Sequence, residues 1–399
     1  MRAMNPACQK IKSFRTPFGY FRSFYLQSAV SLFGFSLTAS LVSAQVNMPA
    51  GRQDSDRINK EKEFARGEQL FNEAKFGGNG RTCVTCHTEQ TGTLSPAQIA
   101  TRSPKDPIFQ HDGADLMGGN TFSRLRSTAT FLVEIPLPEN VQIVGSSSRS
   151  VLVRRGVPTV DNVPALDPVL MWDGREPSLE EQALSAWLNH SQITKVPSVS
   201  DLQAVAAYER TQFNREKLQK FATQGTPLQL PTGRTESEKR GRIWLTDDNP
   251  LNGNPPRGRC VHCHSGPMLN QFSPGAVALG FPAKLGARFF SAFVSEFNDA
   301  GQTPFTFRFT ATDGTTTDLT SPDAGRALIT GDPKDFNFFK TPTIWGSKDT
   351  PPYFHDNSAA TLEDLMNHYQ KYFRAVFGTN PDAMSDQDKA DIIAYLKLL

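Results

Sequence analysis

The segment Cys83-Val84-Thr85-Cys86-His87 decides how the rest of the chain is interpreted, because its pattern recurs as Cys260-Val261-His262-Cys263-His264. Each copy has two thiols that can bond covalently to the vinyl groups of a haem, and an imidazole that can ligate its iron. One copy alone would be a moderate signal, whereas two, each after a helix-like stretch, are a strong one. The sequence therefore predicts two covalently attached haems with His87 and His264 as iron ligands.

Two other kinds of site compete for paired Cys-x-x-Cys segments. Four thiolates can form a tetrahedral structural zinc site, but both copies carry an additional histidine directly after the second cysteine. A thioredoxin-like dithiol is disfavoured because no βαβ pattern surrounds either segment. We keep zinc as the competing interpretation and expect haem.

The length and charge of the chain limit the number of domains and the kinds of partner that can be expected. The 399 residues favour two to three domains, each large enough to enclose a haem, and 29 phenylalanines supply apolar surface for porphyrin crevices. Lys and Arg number 42 against 40 Asp and Glu, without the basic stripe that nucleic-acid binding requires. We expect no nucleic-acid partner.

The N-terminus has the features of a secretory signal peptide over residues 1–44. Basic residues precede an apolar run from Ser28 to Val42, and small residues follow up to Ala44. Of the five cysteines, Cys8 would leave with the signal, and the other four belong to the two segments. We expect a periplasmic protein without a structural disulfide, with a retained membrane anchor as the alternative.

Helical patterns precede both cysteine segments and suggest a repeated unit. Residues 45–60 are polar and are predicted to be a flexible lead-in, after which Lys60–Phe76 has helical periodicity. Thr235-x-x-Glu238 is a capping box, and the spacing of Gly67, Leu70 and Phe71 recurs as Gly241, Trp244 and Leu245. A glycine-bearing helix followed by Cys-x-x-Cys-His is how small cytochrome c domains begin.

We therefore predict a mostly α fold of two tandem cytochrome c-like domains with long loops. The first domain is placed at residues 61–222, a Gly- and Pro-containing linker at 223–234, and the second domain at 235–399. One or two strands are expected within Thr130–Val144, and a small β-hairpin within Phe305–Leu319, turning at Asp313-Gly314.

The sixth ligand of each iron would decide between electron transfer and catalysis, because an open position can bind peroxide or oxygen. A predicted helix after Ser178 places Gln182 and His190 on one face. For the first haem the candidates are His190 and His111, although a histidine beside Asp-Gly is more often a surface turn residue. For the second haem they are Tyr369, Met366, His368, Met268 and Met384.

Several segments together resemble the bacterial di-haem cytochrome c peroxidase family, which includes the MauG-type enzymes. They are Met171-Trp172-Asp173-Gly174-Arg175, Leu179-Glu180-Glu181-Gln182-Ala183, Thr350-Pro351-Pro352-Tyr353-Phe354-His355-Asp356 and Thr361-Leu362-Glu363. The resemblance implies a peroxide-reactive N-terminal haem, a C-terminal haem that relays electrons, and Trp172 between them. It also implies one calcium ion, bound by the backbone carbonyls of Thr350 and Pro352, although the family's asparagine has no clean match around Gly156 and Val157.

Two positions depart from the ordinary peroxidases. The family's distal glutamate falls on Gln192, and a neutral amide cannot act as a general acid. His190 could take the proton role or could cap the iron. Where ordinary peroxidases have an axial methionine, fourteen residues after His355, this chain has Tyr369, as the MauG-type enzymes do. We count His355 and Tyr369 among the haem-binding residues.

We expect an exported di-haem oxidoreductase with hydrogen peroxide as substrate and Trp172, Gln182, His190 and Gln192 as its catalytic candidates. The reductant would be a small cytochrome c or cupredoxin, or an oxidisable substrate, and a homodimer is the assembly considered. The alternatives are a di-haem electron-transfer cytochrome, and a MauG-like oxidase of a protein or organic substrate.

Overall fold

The computed structural model describes residues 50–116, 118–247, 259–278, 280–281, 287–377 and 384–399. The predicted signal peptide lies outside these residues. Within the described ranges, no helix combines the length and the apolar character needed to cross a membrane. Residues Lys62–Leu399 form one compact unit. The division into two haem domains around residues 223–234 stays a prediction.

Helices provide most of the regular structure in the described residues. They are α1 (Ala50–Glu73), α2 (Cys83–Cys86), α3 (Pro96–Ala100), α4 (Ser123–Thr128), α5 (Leu179–Asn189), α6 (Val199–Glu209), α7 (Glu216–Gln224), α8 (Glu236–Ile243), α9 (Arg259–Cys263), α10 (Pro274–Ala278), α11 (Val294–Phe297), α12 (Ala327–Thr330), α13 (Leu362–Phe377) and α14 (Asp386–Leu396). Short 3-10 turns cover His111–Gly113, Pro333–Asp335 and Ser347–Asp349.

The strands form small antiparallel sheets. They are β1 (Thr130–Pro136), β2 (Val141–Ile143), β3 (Ser150–Gly156), β4 (Phe289–Phe290), β5 (Phe305–Thr310), β6 (Thr316–Ser321) and β7 (Phe339–Lys340). β1 pairs with β3, β4 pairs with β7, and the predicted hairpin is β5 and β6, with β2 along the other edge of β5. The strands expected within Thr130–Val144 are β1 and β2, whereas β3, β4 and β7 were not predicted. Val141 and Val151 pack with the buried Phe307 and Phe309 of the hairpin.

Helices α1 and α6 cross at a glycine. A Cβ atom added at Gly67 would lie 2.1 Å from the Ala204 carbonyl oxygen and 2.7 Å from Tyr208 Cβ. The missing side chain therefore lets the two helix backbones approach. Leu70 and Phe71, one turn further along α1, are buried in the core next to this crossing.

Helices α8 and α14 cross in the same way before the second cysteine segment. A Cβ atom at Gly241 would lie 2.0 Å from the Asp391 carbonyl oxygen and 2.9 Å from Tyr395 Cβ. The predicted capping box is present, since Thr235 accepts a hydrogen bond from the Glu238 amide. The repeated spacing in the sequence thus corresponds to two similar helix crossings.

Helix α1 begins at Ala50, so residues 50–60 are helical rather than the predicted flexible lead-in. The side chains of residues 58–63 are exposed, and Lys60-Glu61-Lys62-Glu63 has high helix propensity. The helix continues from there towards the N-terminus through residues of low propensity, such as Gly51, Asp54 and Asn59.

The predicted linker is irregular but packed. Leu228 and Leu230 contact the core around Trp244, and the Tyr395 hydroxyl donates a hydrogen bond to the Pro231 carbonyl at 2.7 Å. The segment therefore contributes to the wall of the second cysteine site, which is described next.

Candidate haem-attachment sites

The first cysteine segment forms the short helix α2 with both thiols free. Burial raises the pKa of Cys86 to about 11 and, with the nearby Glu209 carboxylate, raises the pKa of Cys83 well above its usual range. Both groups are therefore neutral thiols at pH 7. In the second segment, burial raises the pKa of Cys263 to about 12.

The two predicted iron ligands are held by the same hydrogen bond. His87 Nδ1 lies 2.9 Å from the Gly92 carbonyl oxygen, and His264 Nδ1 lies 2.9 Å from the Leu269 carbonyl oxygen. A carbonyl can only accept, so each Nδ1 carries the proton. In the neutral ring Nε2 is then the atom that can ligate a metal, although His264 also has a hydrogen bond with the Pro342 backbone. Burial also lowers the pKa of both imidazoles, which favours the neutral form that a metal requires.

The surroundings of the first segment include buried polar atoms without partners in the described residues. Trp187 Nε1 and Glu209 Oε2 are inaccessible to solvent and make no hydrogen bond there. Trp187 packs in the same apolar cluster as Cys83, and burial raises the pKa of Glu209 to about 8. Leaving such groups unsatisfied costs roughly 1–3 kcal/mol each, so these surroundings fit a polar-edged group such as a haem.

A histidine and a carboxylate are paired near His87. His190, the residue after helix α5, places Nδ1 2.7 Å from Asp112 Oδ2, and the other Asp112 oxygen forms a salt bridge with Arg81. A charge on His190 lowers the pKa of His87, so the two imidazoles belong to one site. The structure thus adds Arg81 and Asp112 to the predicted His190.

The other first-site candidates differ in their surroundings. Gln192 Oε1 accepts a hydrogen bond of 3.3 Å from Asn79 Nδ2, which also donates to the His190 carbonyl at 2.9 Å. Gln182 is half-buried on the helix face predicted to include His190. His111 lies in an exposed 3-10 turn.

An apolar cavity adjoins the second segment. Its volume is about 450 Å³, and His264, Leu245, Leu269 and Trp345 are part of its lining. Trp345 is fixed by a hydrogen bond of 2.8 Å from its Nε1 to the Pro267 carbonyl. An apolar cavity beside a neutral imidazole fits a second haem.

Among the candidate sixth ligands of the second site, Tyr369 lies near both cysteine thiols. Burial raises its pKa well above the usual range, with further contributions from Cys263 and Cys260, so the hydroxyl lies near both thiols. Met366, Met268 and Met384 are at most 5% exposed and pack in the core. His368 Nε2 lies 2.7 Å from the Ala292 carbonyl oxygen, to which it donates.

The family model of the di-haem cytochrome c peroxidases matches residues 61–223. Residues 61–223 belong to the di-haem cytochrome c peroxidase family. The protein is a cytochrome c peroxidase-like oxidoreductase, and the matched family is one of haem c proteins. The predicted family is thereby confirmed.

Individual relatives extend the similarity over most of the chain. Cytochrome-c peroxidase IdrP1 of Pseudomonas sp. (strain SCT) is 23% identical over 403 residues, covering 94% of this chain and 91% of that protein. Cytochrome c551 peroxidase of Nitrosomonas europaea is 28% identical, covering 61% of this chain and 64% of that protein. The crystal structure of a MauG-like protein associated with microbial copper homeostasis has a TM-score of 0.49 at 20% identity, covering 85% and 88%.

Trp172, the predicted relay residue, is fixed by the backbone of β3. Its Nε1 donates to the Gly156 carbonyl at 3.0 Å, and the Gly156 amide donates to the His355 carbonyl at 2.8 Å. The His355 ring stacks on Phe339, with centroids 3.6 Å apart. Hydrogen bonds thus connect Trp172 to the segment that contains His355.

The backbone carbonyls of Thr350 and Pro352 were predicted to bind calcium. No group of three or more His, Cys, Asp or Glu side chains with metal-binding geometry occurs within the described ranges. Calcium therefore stays a prediction, and we assign it no role in the chemistry.

Sequence analysis missed the charged residues of this peroxidase's first site. Arg81 lies two residues before Cys83 and is 1% exposed. Asp112 follows His111, which was expected to be a surface turn residue. Glu209, at the end of α6, is 4% exposed. A weak signal existed only for Asp112, which lies in the loop considered for His111.

Proposed function

We propose that this family member reduces hydrogen peroxide at a haem attached to Cys83 and Cys86, with electrons passed from a haem attached to Cys260 and Cys263. The observation that carries the proposal is the difference between the two sites. A charged and hydrogen-bonding set lies near His87, whereas an aromatic and apolar set lies near His264. Proton-dependent chemistry requires the former.

When bound, the iron of the first haem supplies a coordination site for peroxide and an electron-transfer centre. The protein's contribution would be to hold His87 as a neutral ligand and to keep polar groups near it. Among these, His190 is the residue that can exchange a proton, because the Gln192 amide does not titrate.

We assign Trp172 to the electron path between the two haems. The support is its place in the family motif and its rigid position: the indole is fixed through Gly156, and the Trp172 carbonyl accepts a hydrogen bond of 2.8 Å from the Lys340 amide. A small redox protein, a cytochrome c or a cupredoxin, is the proposed donor. The assignment to the periplasm rests on residues 1–44.

A second candidate function is oxidation of a protein or organic substrate. Tyr369 favours it, because an oxygen ligand stabilises the more oxidised states of iron and would lower the potential of the second haem. The same site would then store oxidising equivalents rather than pass electrons inward.

The test is addition of hydrogen peroxide to the ferric and the reduced haem-loaded protein while absorption spectra are recorded. We expect a spectral change and turnover of a reductant. Absence of both, together with two low-spin haems that do not bind cyanide, would instead identify an electron carrier.

A further inference from the structure

Asp112 and His190 form a pair that no motif of the sequence connects. The residues are 78 positions apart, and Asp112 Oδ2 lies 2.7 Å from His190 Nδ1. The side chain of Asp112 is 13% exposed and that of His190 is 30% exposed. At this distance and burial the contact is a strong, oriented hydrogen bond rather than a surface ion pair.

Arg81 fixes the carboxylate end of this pair. Its guanidinium is 1% exposed, donates to the carbonyl oxygens of Pro107 at 3.0 Å and Ile108 at 2.6 Å, and forms the salt bridge to Asp112. Burial alone would raise the pKa of Asp112, but the hydrogen bond with His190 and the charge of Arg81 outweigh it and lower that pKa. Asp112 is therefore an ionised acceptor.

The backbone of His190 is fixed as well. Its carbonyl oxygen accepts from Asn79 Nδ2 at 2.9 Å and from Arg81 Nη1 at 3.2 Å. With an ionised carboxylate at Nδ1, the neutral imidazole carries its proton on Nδ1 and presents an unprotonated Nε2. The same arrangement orients the catalytic imidazole in Ser-His-Asp enzymes.

We propose that Asp112 is a positioning residue that orients His190, so that His190 Nε2 carries the proton which the family's distal glutamate carries elsewhere. This inference rests on the proposed peroxide chemistry at the first haem. His190 Nε2 accepts a proton from one peroxide oxygen and returns it to the other, which leaves as water. Two electrons from the redox-protein donor and two protons from solvent complete the conversion of one peroxide to two waters.

Cyanide tests the proposal without turnover, because hydrogen cyanide must give up its proton when the anion binds ferric iron. The rate of cyanide association would be measured for the haem-loaded wild type, His190→Gln, Asp112→Asn and the double variant. The control is Asp115→Asn, a carboxyl-to-amide change in the same loop, where the acid hydrogen-bonds Ser123 and Arg124 instead.

We expect each single variant to slow association roughly tenfold or more, and the double variant to be no slower than His190→Gln, because the two residues act as one unit. Asp112→Glu should restore most of the rate, and Asp115→Asn should match the wild type. Unchanged rates in His190→Gln or Asp112→Asn would overturn the proposal, as would additive losses in the double variant.

Two further results distinguish a failure of this proposal from a failure of the proposed function. A change of the first haem from low to high spin in His190→Gln, seen by electron paramagnetic resonance, would make His190 an iron ligand and overturn the proton role. A wild type whose haems bind neither cyanide nor peroxide would overturn the proposed function itself. If Asp112→Asn does not load haem, His190→Gln still tests the proposal, because the side chain of His190 is 30% exposed and its replacement should not prevent folding.

Discussion

Gly241 packs directly against Asp391, because a Cβ atom at Gly241 would lie 2.0 Å from the Asp391 carbonyl oxygen. The carbonyl belongs to a helix backbone and cannot rotate away, so Gly241→Ala must separate α8 from α14. We expect a loss of about 2 kcal/mol or more in the free energy of unfolding, measured with urea on the haem-loaded protein. Lys239→Ala, on an exposed part of α8, should cost less than about 0.5 kcal/mol. Equal stability of the two variants would contradict a tight crossing.

Arg155 joins two buried carboxylates. It is 2% exposed and forms salt bridges with Asp173 and Asp323, neither of which is accessible to solvent. Removing the cation leaves Asp323 without its partner and Asp173 with only Arg175, so Arg155→Met should lower the free energy of unfolding by about 3–5 kcal/mol. Arg308→Met, which breaks a similar pair with Asp318 on the exposed hairpin, should cost less than about 1 kcal/mol. Similar losses in both variants would show that Arg155 is not stabilised by burial.

The difference in unfolding free energy between the wild type and Arg155→Met should depend on pH, because the partners of Arg155 are carboxylates. Burial alone would raise the pKa of Asp173 and Asp323, but the charge of Arg155 outweighs it and holds both below the ordinary value of 3.8. The unfolded chain then binds more protons than the native protein, so the contribution is present above that pH and is lost as pH falls through the native pKa values. The gap in unfolding free energy between wild type and Arg155→Met should shrink below about pH 4. A gap independent of pH would contradict this origin.

Tyr369 offers a test of the second site that preserves packing. Tyr369→Phe should change the spectrum of the second haem and raise its reduction potential by roughly 100 mV or more, because an oxygen ligand that favours ferric iron is lost. Tyr372→Phe, on the same helix, is the matched control and should leave both unchanged. If the potential and spectrum of Tyr369→Phe match the wild type, Tyr369 is only a core residue.

Most of the helices and strands that were predicted correctly were predicted from local sequence patterns. The capping residues Thr235 and Ser385 begin helices as their sequences indicate, and Leu362, Met366 and Phe373 share one buried face. These features depend on residues three or four positions apart, which a single sequence displays directly.

Contacts between distant residues could not be predicted in this way. From the sequence, an arginine in a strand such as Arg155 would be expected on the surface. In the structure it is buried and paired with Asp323, which is 168 positions away. The same holds for Asp112 and His190. The helical start of α1 was missed for a different reason. Residues such as Gly51, Asp54 and Asn59 have low helix propensity, so the sequence does not show that the helix extends back through them.

The most direct test of the central claim removes one haem at a time. Haem content would be counted in Cys83→Ala/Cys86→Ala and in Cys260→Ala/Cys263→Ala, and each would then be mixed with hydrogen peroxide while haem absorption is followed. We predict one haem in each variant, no reaction with peroxide in the first, and a reaction without sustained turnover of a reductant in the second. A peroxide reaction that persists in Cys83→Ala/Cys86→Ala and is lost in Cys260→Ala/Cys263→Ala would contradict the assignment of the two sites.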